Sequence, residues 1–313
     1  MSILPSKTPE ESAITLAQVI FPHDANELGL ATAGTILKTI DIAASLTAGK
    51  HTRHKVVTAS LDRMDFLHPA KLWELVTTHC RPTNAWHSSL EVEVTVEAEN
   101  VAQGEKRRIA SGYLVFVALD DETLKPTAIY PLRDSALAEA AELRKQSRLS
   151  EAAQNQILID EADNAETVKR TMTPDDANIH QKVFGGAILE MIHQAAEKAA
   201  ERQANGPVIA VRLDRMSFEK PAYIGEEVKA QAVLTRTWHS AMEIQVEVIA
   251  KDHKTGEERR VAFSYLVFIA QDSTGHPKTV LPFTPTTPLQ EKRWEEAAAR
   301  QATRLSKRPK IDG

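Results

Sequence analysis

The hydrophobic and polar positions follow the same succession of periods in both halves of the chain. Residues 34–48 are apolar on nearly every side, which is typical of a buried helix. Residues 90–97 then alternate apolar and polar side chains, and residues 242–248 repeat that alternation. Alternation of this kind predicts strands with one buried and one solvated face. The pattern therefore predicts an α+β fold.

Four further segments complete the predicted elements of the first half. Residues 13–21 fit a short strand or a turn of helix that ends at Pro22. Residues 56–66, 72–81 and 107–119 fit longer strands. We expect the strands to form an antiparallel sheet that wraps around the central helix.

A constant offset of 152 residues relates the two halves. It separates Asn26 from Asn178, and it also relates residues 61–64 to 213–216, 86–88 to 238–240 and 113–116 to 265–268. Two copies without a net insertion between them indicate an internal duplication. We predict one domain at residues 1–134, a helical connector at 135–166, a second domain at 167–288, and a C-terminal helix and tail at 289–313.

Composition narrows the function classes. The chain has 313 residues, 26% of them charged, and a formal net charge of −5, so it has no general attraction for nucleic acid or an anionic membrane. Its longest apolar run, residues 113–119, is too short to cross a bilayer. A single cysteine, Cys80, excludes an intrachain disulfide, and the first residues lack a signal-peptide pattern. We expect a cytoplasmic protein.

An Asp-Ala-Asn turn precedes the apolar helix in each half. It leads through a glycine-containing loop, so the free N–H groups of a helix N-terminus face whatever the loop surrounds. The turn, the Phe-Gly-Gly of the second copy, the Leu-Asp-Arg-Met-x-Phe strand and the Trp-His-Ser motif together resemble the hotdog-fold acyl-CoA thioesterases. Within that family the chain looks most like the tandem-hotdog cytosolic hydrolases and the short YciA-type enzymes.

The resemblance implies two tandem hotdog domains paired as a pseudo-dimer, with a composite site where they meet. In the family, an asparagine and a glycine-rich loop come from one hotdog, and a carboxylate on the central helix comes from the other. Carried over to this chain, one site has Asp41, Asn178, Gly185 and Gly186. The other has Asn26, Gly34 and His193, and His193 stands where the carboxylate is expected. We therefore predict one competent site and one degenerate site.

The predicted roles have structural alternatives. Asp41 would serve as general base or as a nucleophile that forms a mixed anhydride, and both remain open. The N–H groups of Gly185 and Gly186 would form an oxyanion hole, and Asn178 would orient the water or the thioester carbonyl. Alternatively, Asp41 is a buried carboxylate paired with an arginine or a backbone group, and Asn178 only bonds within its own turn. The glycines would then serve a loop that needs positive φ.

Two other motifs contain histidine and give less support for a catalytic or metal-binding role. By resemblance, the repeated Trp-His-Ser motif lies near coenzyme A; its residues are Trp86, His87, Ser88, Trp238, His239 and Ser240. Each His-Ser pair is an improbable catalytic dyad, because neighbours on a strand point to opposite faces. His51 and His54 have a spacing that could hold a metal, but we predict a solvated helix end there and no metal site.

Two other functions remain possible for this sequence. A hydratase or dehydratase of acyl thioesters is one rival, because His193 keeps a His–carboxylate site conceivable. A non-catalytic sensor of acyl-CoA is the other. We expect acyl-CoA as the small-molecule partner, no cofactor beyond the coenzyme A of the substrate, no nucleic acid and no membrane insertion. Resemblance also implies a homo-oligomer, a trimer of double hotdogs.

Overall fold

A computed structural model describes residues 5–133, 135–151, 157–160, 164–178 and 182–306. The helices in these ranges are α1 (Pro9–Ser12), α2 (Ala33–Thr52), α3 (Ala138–Glu151), α4 (Gly185–Ala204) and α5 (Pro288–Ser306). None of them combines the length and apolar character that a membrane crossing requires. Short 3₁₀ turns at Pro22–Asp24 and Pro174–Asp176 begin the two Asp-Ala-Asn loops.

The strands repeat in the same order in each half. Those of the first half are β1 (Ile14–Val19), β2 (Lys55–Leu61), β3 (Met64–Phe66), β4 (Leu75–Ala85), β5 (Ser89–Asn100) and β6 (Glu105–Leu119). Those of the second half are β7 (Glu166–Thr171), β8 (Val208–Leu213), β9 (Met216–Phe218), β10 (Glu227–Thr237), β11 (Ala241–Lys251) and β12 (Glu258–Ala270). Helix α3 thus lies within the predicted connector, and α5 begins at the end of the predicted second domain.

In each half an antiparallel sheet packs against one long helix, so the predicted α+β fold is confirmed. Strand order in the first half is β1-β4-β5-β6-β2. The inward residues of β5, such as Leu90 and Val94, are fully buried, as are Leu37 and Ile40 of α2. Removal of this apolar surface from water is the main force that holds helix and sheet together.

The two halves form one continuous sheet. Strand β2 pairs with β9 and β3 pairs with β8, which gives a 12-stranded sheet with β1 and β7 at its edges. Helices α2 and α4 lie side by side and run antiparallel, because Gly34 faces His193 while Asp41 faces Gly186. Their N-terminal halves overlap, so each helix N-terminus contacts the third turn of the other helix.

Several predicted boundaries were wrong. The single strand expected at residues 56–66 is broken at Asp62 and Arg63 into β2 and β3, which pair with β9 and β8 of the other domain. The strand expected at 72–81 runs from Leu75 to Ala85, and the helix expected at 34–48 extends to Thr52. Residues 14–19 form a strand rather than a turn of helix.

The outer face of the sheet is not solvated throughout, contrary to the prediction. Glu91 of β5 is fully buried, and Arg144 and Arg148 of α3 bind its carboxylate at 2.6 and 2.7 Å. Arg300 and Arg304 of α5 bind the equally buried Glu243 in the second half. Buried carboxylates need such partners. Each terminal helix therefore covers part of the outer face.

The predicted solvated helix end at His51 was also wrong. His51 is fully buried, and its Nδ1 lies 3.0 Å from the hydroxyl of Ser12. Its Nε2 lies 2.8 Å from the carbonyl oxygen of Tyr130, so Nε2 carries the proton and the Ser12 hydroxyl donates to Nδ1. The imidazole joins the N-terminal segment, α2 and the end of the first domain. Burial lowers the pKa of His51 and keeps it neutral.

Candidate active site

Asp41 lies in the third turn of α2. The helix begins after Thr32, whose hydroxyl oxygen accepts the N–H of Thr35 and so caps the first turn. From this start, the helical period places Asp41 on the face that packs against the second domain, in a fully buried position. The carboxylate of one domain is thereby carried to the helix N-terminus of the other.

Two hydrogen bonds hold the Asp41 carboxylate. Oδ2 accepts the backbone N–H of Gly186 at 2.7 Å, across the contact between the domains. Oδ1 accepts the hydroxyl of Thr58 on β2 at 2.9 Å. In the described part of the chain no lysine or arginine forms an ion pair with Asp41. The polar partners of Asp41 are therefore the N-terminal end of α4 and a neutral hydroxyl.

This environment places the Asp41 pKa close to neutrality. Burial raises the pKa from its ordinary 3.8 to about 6, because the charged form loses its hydration. The bonds from Thr58 and Gly186 act in the opposite direction and limit the rise. At neutral pH the group is an ionised carboxylate with an elevated affinity for a proton. Such a group suits general-base chemistry.

The glycines at the start of α4 permit the close approach of Asp41. A methyl group on Gly185 would lie 2.8 Å from Asp41 Oδ2 and 3.1 Å from the Thr58 hydroxyl. A methyl group on Gly186 would lie 3.2 Å from the Cα of Lys38 on α2. Neither glycine has positive φ, so the alternative of a loop that needs positive φ is wrong here. Both positions have no room for a side chain, because α2 and α4 approach each other closely there.

The N–H groups of the two glycines are not equivalent. That of Gly186 is already bonded to Asp41, whereas that of Gly185 has no acceptor in the described part of the chain. Asn178 lies in the loop before α4, where its Oδ1 accepts the N–H of Lys182 at 3.2 Å. The turn bond that we considered as the alternative for Asn178 is therefore present. Its catalytic role stays a prediction.

Thr58 was missed by the sequence analysis, although a signal for it exists. At the same offset of 152 residues, the second copy has Ala210 in place of Thr58. This difference accompanies the replacement of Asp41 by His193 at the matching helix position. Thr58 is a polar residue on a strand, and it is present only in the copy that keeps the carboxylate. That pattern could have indicated a partner of Asp41.

We call the contact of Asp41 with the start of α4 the first seam, and the contact of His193 with the start of α2 the second seam. The second seam brings together the residues predicted for the degenerate site. His193 of α4 is 2% exposed, and a methyl group on Gly34 would lie 3.4 Å from its Nδ1. Burial lowers the pKa of His193 to about 4, so its imidazole is neutral. Asn26 Oδ1 accepts the N–H groups of Leu28 and Leu30, both at 3.1 Å. This side chain therefore shapes its own turn.

The Trp-His-Ser motifs lie in turns, so the argument from strand neighbours against a His-Ser dyad does not apply. They connect β4 to β5 and β10 to β11, where the N–H of Trp86 bonds to Ser89 O and that of Trp238 to Ala241 O. The indole N–H of Trp86 donates to Glu142 on α3 at 2.8 Å. No hydrogen bond in the described ranges connects either turn to Asp41. Their role in coenzyme A binding stays a prediction.

Metal ligands do not assemble at these seams. Among the described residues, no three His, Cys, Asp or Glu side chains come together in a way that could hold a metal ion. The polar groups of the candidate site are a carboxylate, a hydroxyl and backbone N–H groups. These groups can move a proton and stabilise a negative charge on oxygen.

The fold and its central seam define a protein of two paired hotdog domains. A family model described as the thioesterase superfamily matches residues 28–105 and 180–257. An uncharacterized acyl-CoA thioester hydrolase of Bacillus subtilis is 32% identical over 169 residues, which covers 49% of this chain and 98% of that protein. The chain belongs to the thioesterase superfamily, and the predicted resemblance is confirmed.

Two longer relatives match nearly the whole chain. The acetyl-coenzyme A thioesterase of Rattus norvegicus is 26% identical, covering 97% of this chain and 59% of that protein. The cytosolic acyl coenzyme A thioester hydrolase of Mus musculus is 26% identical, covering 94% of this chain and 84% of that protein. The chain spans a little over half the length of the first curated relatives that it matches.

Proposed function

We propose that the chain hydrolyses acyl-CoA thioesters to a free fatty acid and coenzyme A at one composite site. The observation that carries this proposal is the bond from the Gly186 N–H to the buried Asp41 carboxylate. A carboxylate with a raised pKa and the N-terminus of a helix are the two groups that attack on a carbonyl requires. The names of the relatives, all CoA thioester hydrolases or thioesterases, support this substrate class.

The geometry supports two routes for the first step. As a general base, Asp41 takes a proton from a water that attacks the thioester carbonyl. As a nucleophile, its carboxylate oxygen attacks directly and forms a mixed anhydride that water then hydrolyses. In either route the bond from carbon to sulfur breaks and coenzyme A leaves as the thiol. Mass spectrometry of acid-quenched enzyme distinguishes the routes, since only the second adds the acyl mass to the protein.

The negative charge on the carbonyl oxygen needs a donor that is still available. Gly185 supplies one, because its N–H at the start of α4 has no acceptor in the described ranges. The helix dipole favours a negative charge at the same point. Loss of one such donor typically lowers the rate by about 10²–10³. Thr58 keeps the Asp41 carboxylate fixed while the substrate enters.

Unequal seams support a single competent site per chain. The second seam has a neutral imidazole at the position of the carboxylate and Ala210 at the position of Thr58. It therefore lacks the carboxylate at the matched helix position and the hydroxyl that would orient it. We also propose a cytosolic location, which the name of the mouse relative supports. The homo-oligomer remains a prediction that light scattering of the purified chain will test.

The decisive experiment measures thiol release from a series of acyl-CoAs. We expect Asp41→Ala to abolish release and the matched His193→Ala to retain most of it. The opposite result would overturn the assignment of the site. Analysis of the acyl chains in the same samples separates the rivals, because a dehydratase alters the chain without freeing coenzyme A and a sensor does neither.

A further inference from the structure

A cavity of about 150 Å³ lies at the second seam. One water needs about 10–15 Å³ in the same measure, so the cavity has room for several carbon atoms. Its walls are largely apolar and come from both domains, as Ile36, Phe66 and Ile109 on one side and Val208 and Ala210 on the other show. The lining also includes Leu67, which is 51% exposed, so the cavity reaches the surface. Its interior suits a short aliphatic chain.

The polar end of this cavity holds groups without hydrogen-bond partners. His193 Nδ1 is buried and unbonded, and it lies 3.6 Å from Glu197 Oε2, beyond hydrogen-bond distance. The N–H group of Ala33, which lines the cavity at the start of α2, has no acceptor in the described part of the chain. A buried polar atom that lacks a partner costs about 1–3 kcal/mol. A ligand that bonds to these groups would recover that free energy.

The charges differ from those of the first seam. There, the ionised Asp41 occupies the helix N-terminus and would repel an anion. Here His193 is neutral, and the N-terminus of α2 attracts negative charge. Burial, and next the charge of Glu201, raise the pKa of Glu197 to about 7. The Glu197 carboxyl can therefore supply a proton to a bound oxygen near neutral pH.

We propose that this cavity binds a short free monocarboxylic acid, with the alkyl chain between the domains. One carboxyl oxygen accepts from the N–H group of Ala33, and the other meets His193 and Glu197. A thioester has a single carbonyl oxygen and would leave one of these polar sides without a partner, which favours the free acid. The further statement that this acid is the product of the chain's own reaction rests on the proposed function. The binding of the acid does not depend on it.

Calorimetric titration of the intact chain with sodium butyrate tests this site. We expect saturable binding to a single site in the unmodified chain and in Asp41→Asn, which alters the first seam. His193→Leu removes the polar contact and Ala210→Leu fills the cavity, so each should weaken binding by about tenfold or more. His193→Gln restores a donor and should bind more tightly than His193→Leu. Circular dichroism verifies that each variant is folded.

Three outcomes would overturn the inference. The first is no binding of butyrate at millimolar concentration. The second is binding that disappears in Asp41→Asn but persists in His193→Leu and Ala210→Leu. The third is tighter binding at the second seam of S-butyl-coenzyme A, a thioether that cannot be hydrolysed, than of butyrate. Thiol release measured on the same samples keeps the two proposals apart, since failure of hydrolysis does not affect the titration.

Discussion

Replacement of Asp41 by asparagine should remove hydrolysis and at the same time stabilise the folded chain. The asparagine oxygen can still accept the Gly186 N–H, and its amide can donate to the Thr58 hydroxyl oxygen, so both atoms that face the carboxylate keep a polar neighbour. The negative charge disappears, and with it the cost of keeping that charge out of water. We expect kcat/KM to fall by about 10²–10⁴-fold, the usual contribution of a general base.

The size of the stabilisation follows from the pKa of Asp41. Folding raises this pKa from 3.8 to about 6, so the folded chain holds the proton more tightly than the unfolded chain. Below pH 3.8 the carboxyl is protonated in both states and has no such cost. As pH rises through 6 the cost becomes complete, at about 3 kcal/mol. Asp41→Asn should be more stable by about this amount at pH 8.

Thermal unfolding at several pH values measures this difference. For a chain of this length, about 3 kcal/mol corresponds to roughly 4 °C in Tm if both domains unfold together. The difference should be largest at pH 8 and shrink toward pH 4. Asp41→Ala is the matched control, because it leaves the Gly186 N–H and the Thr58 hydroxyl without a partner and should be less stable than Asp41→Asn by about 1–3 kcal/mol. A lower Tm for Asp41→Asn at pH 8, or a difference that does not change with pH, would refute the reasoning.

Three other changes test the same structure. The pH profile of kcat/KM should be flat above pH 6 and fall below it, because Asp41 must be ionised. Thr58→Ala should move the inflection to higher pH, because the Thr58 hydrogen bond lowers the pKa of Asp41. An inflection near pH 4 in the unmodified chain would contradict this reasoning. Gly185→Ala places a methyl group 2.8 Å from Asp41 Oδ2 and should lower kcat/KM by about 10²-fold, whereas Gly49→Ala, where the methyl meets no atom within 4 Å, should retain activity. Trp73 is 64% exposed and has φ +68, and its counterpart in the second domain is Gly225 with φ +87. Trp73→Gly should therefore raise the free energy of unfolding by roughly 0.5–1 kcal/mol in thermal unfolding. Trp73→Ala should not raise it.

Local patterns were reliable where the backbone period alone decides the element. The apolar helix and the alternating strand are visible in the sequence because burial imposes periods of 3.6 and 2 on hydrophobic positions. The strand break at Asp62 and Arg63 was missed because the residues on either side keep a strand-like composition. The pairing of β2 with β9 and of β3 with β8 across the contact between the domains leaves no mark in the local period.

Long-range contacts explain the other errors. Glu91 resembles any solvated strand residue until α3 brings two arginines onto it. His51 resembles an exposed helix end until the N-terminal segment and Tyr130 cover it. Thr58 acquires a role only because β2 lies beside the third turn of α2. In each case the partner lies well over ten residues away in the chain, beyond the reach of any local pattern.

The duplication, the shared pattern of the two halves and the unequal residues at matched positions can be read from the sequence alone, because these are comparisons of one stretch with another. The hydrogen bond between Asp41 and Gly186, and the open cavity beside His193, could be found only from the three-dimensional packing of the chain. Hydrogen bonds and burial depend on distances between atoms that different segments bring together. Those distances exist only after both helices have packed against their common sheet.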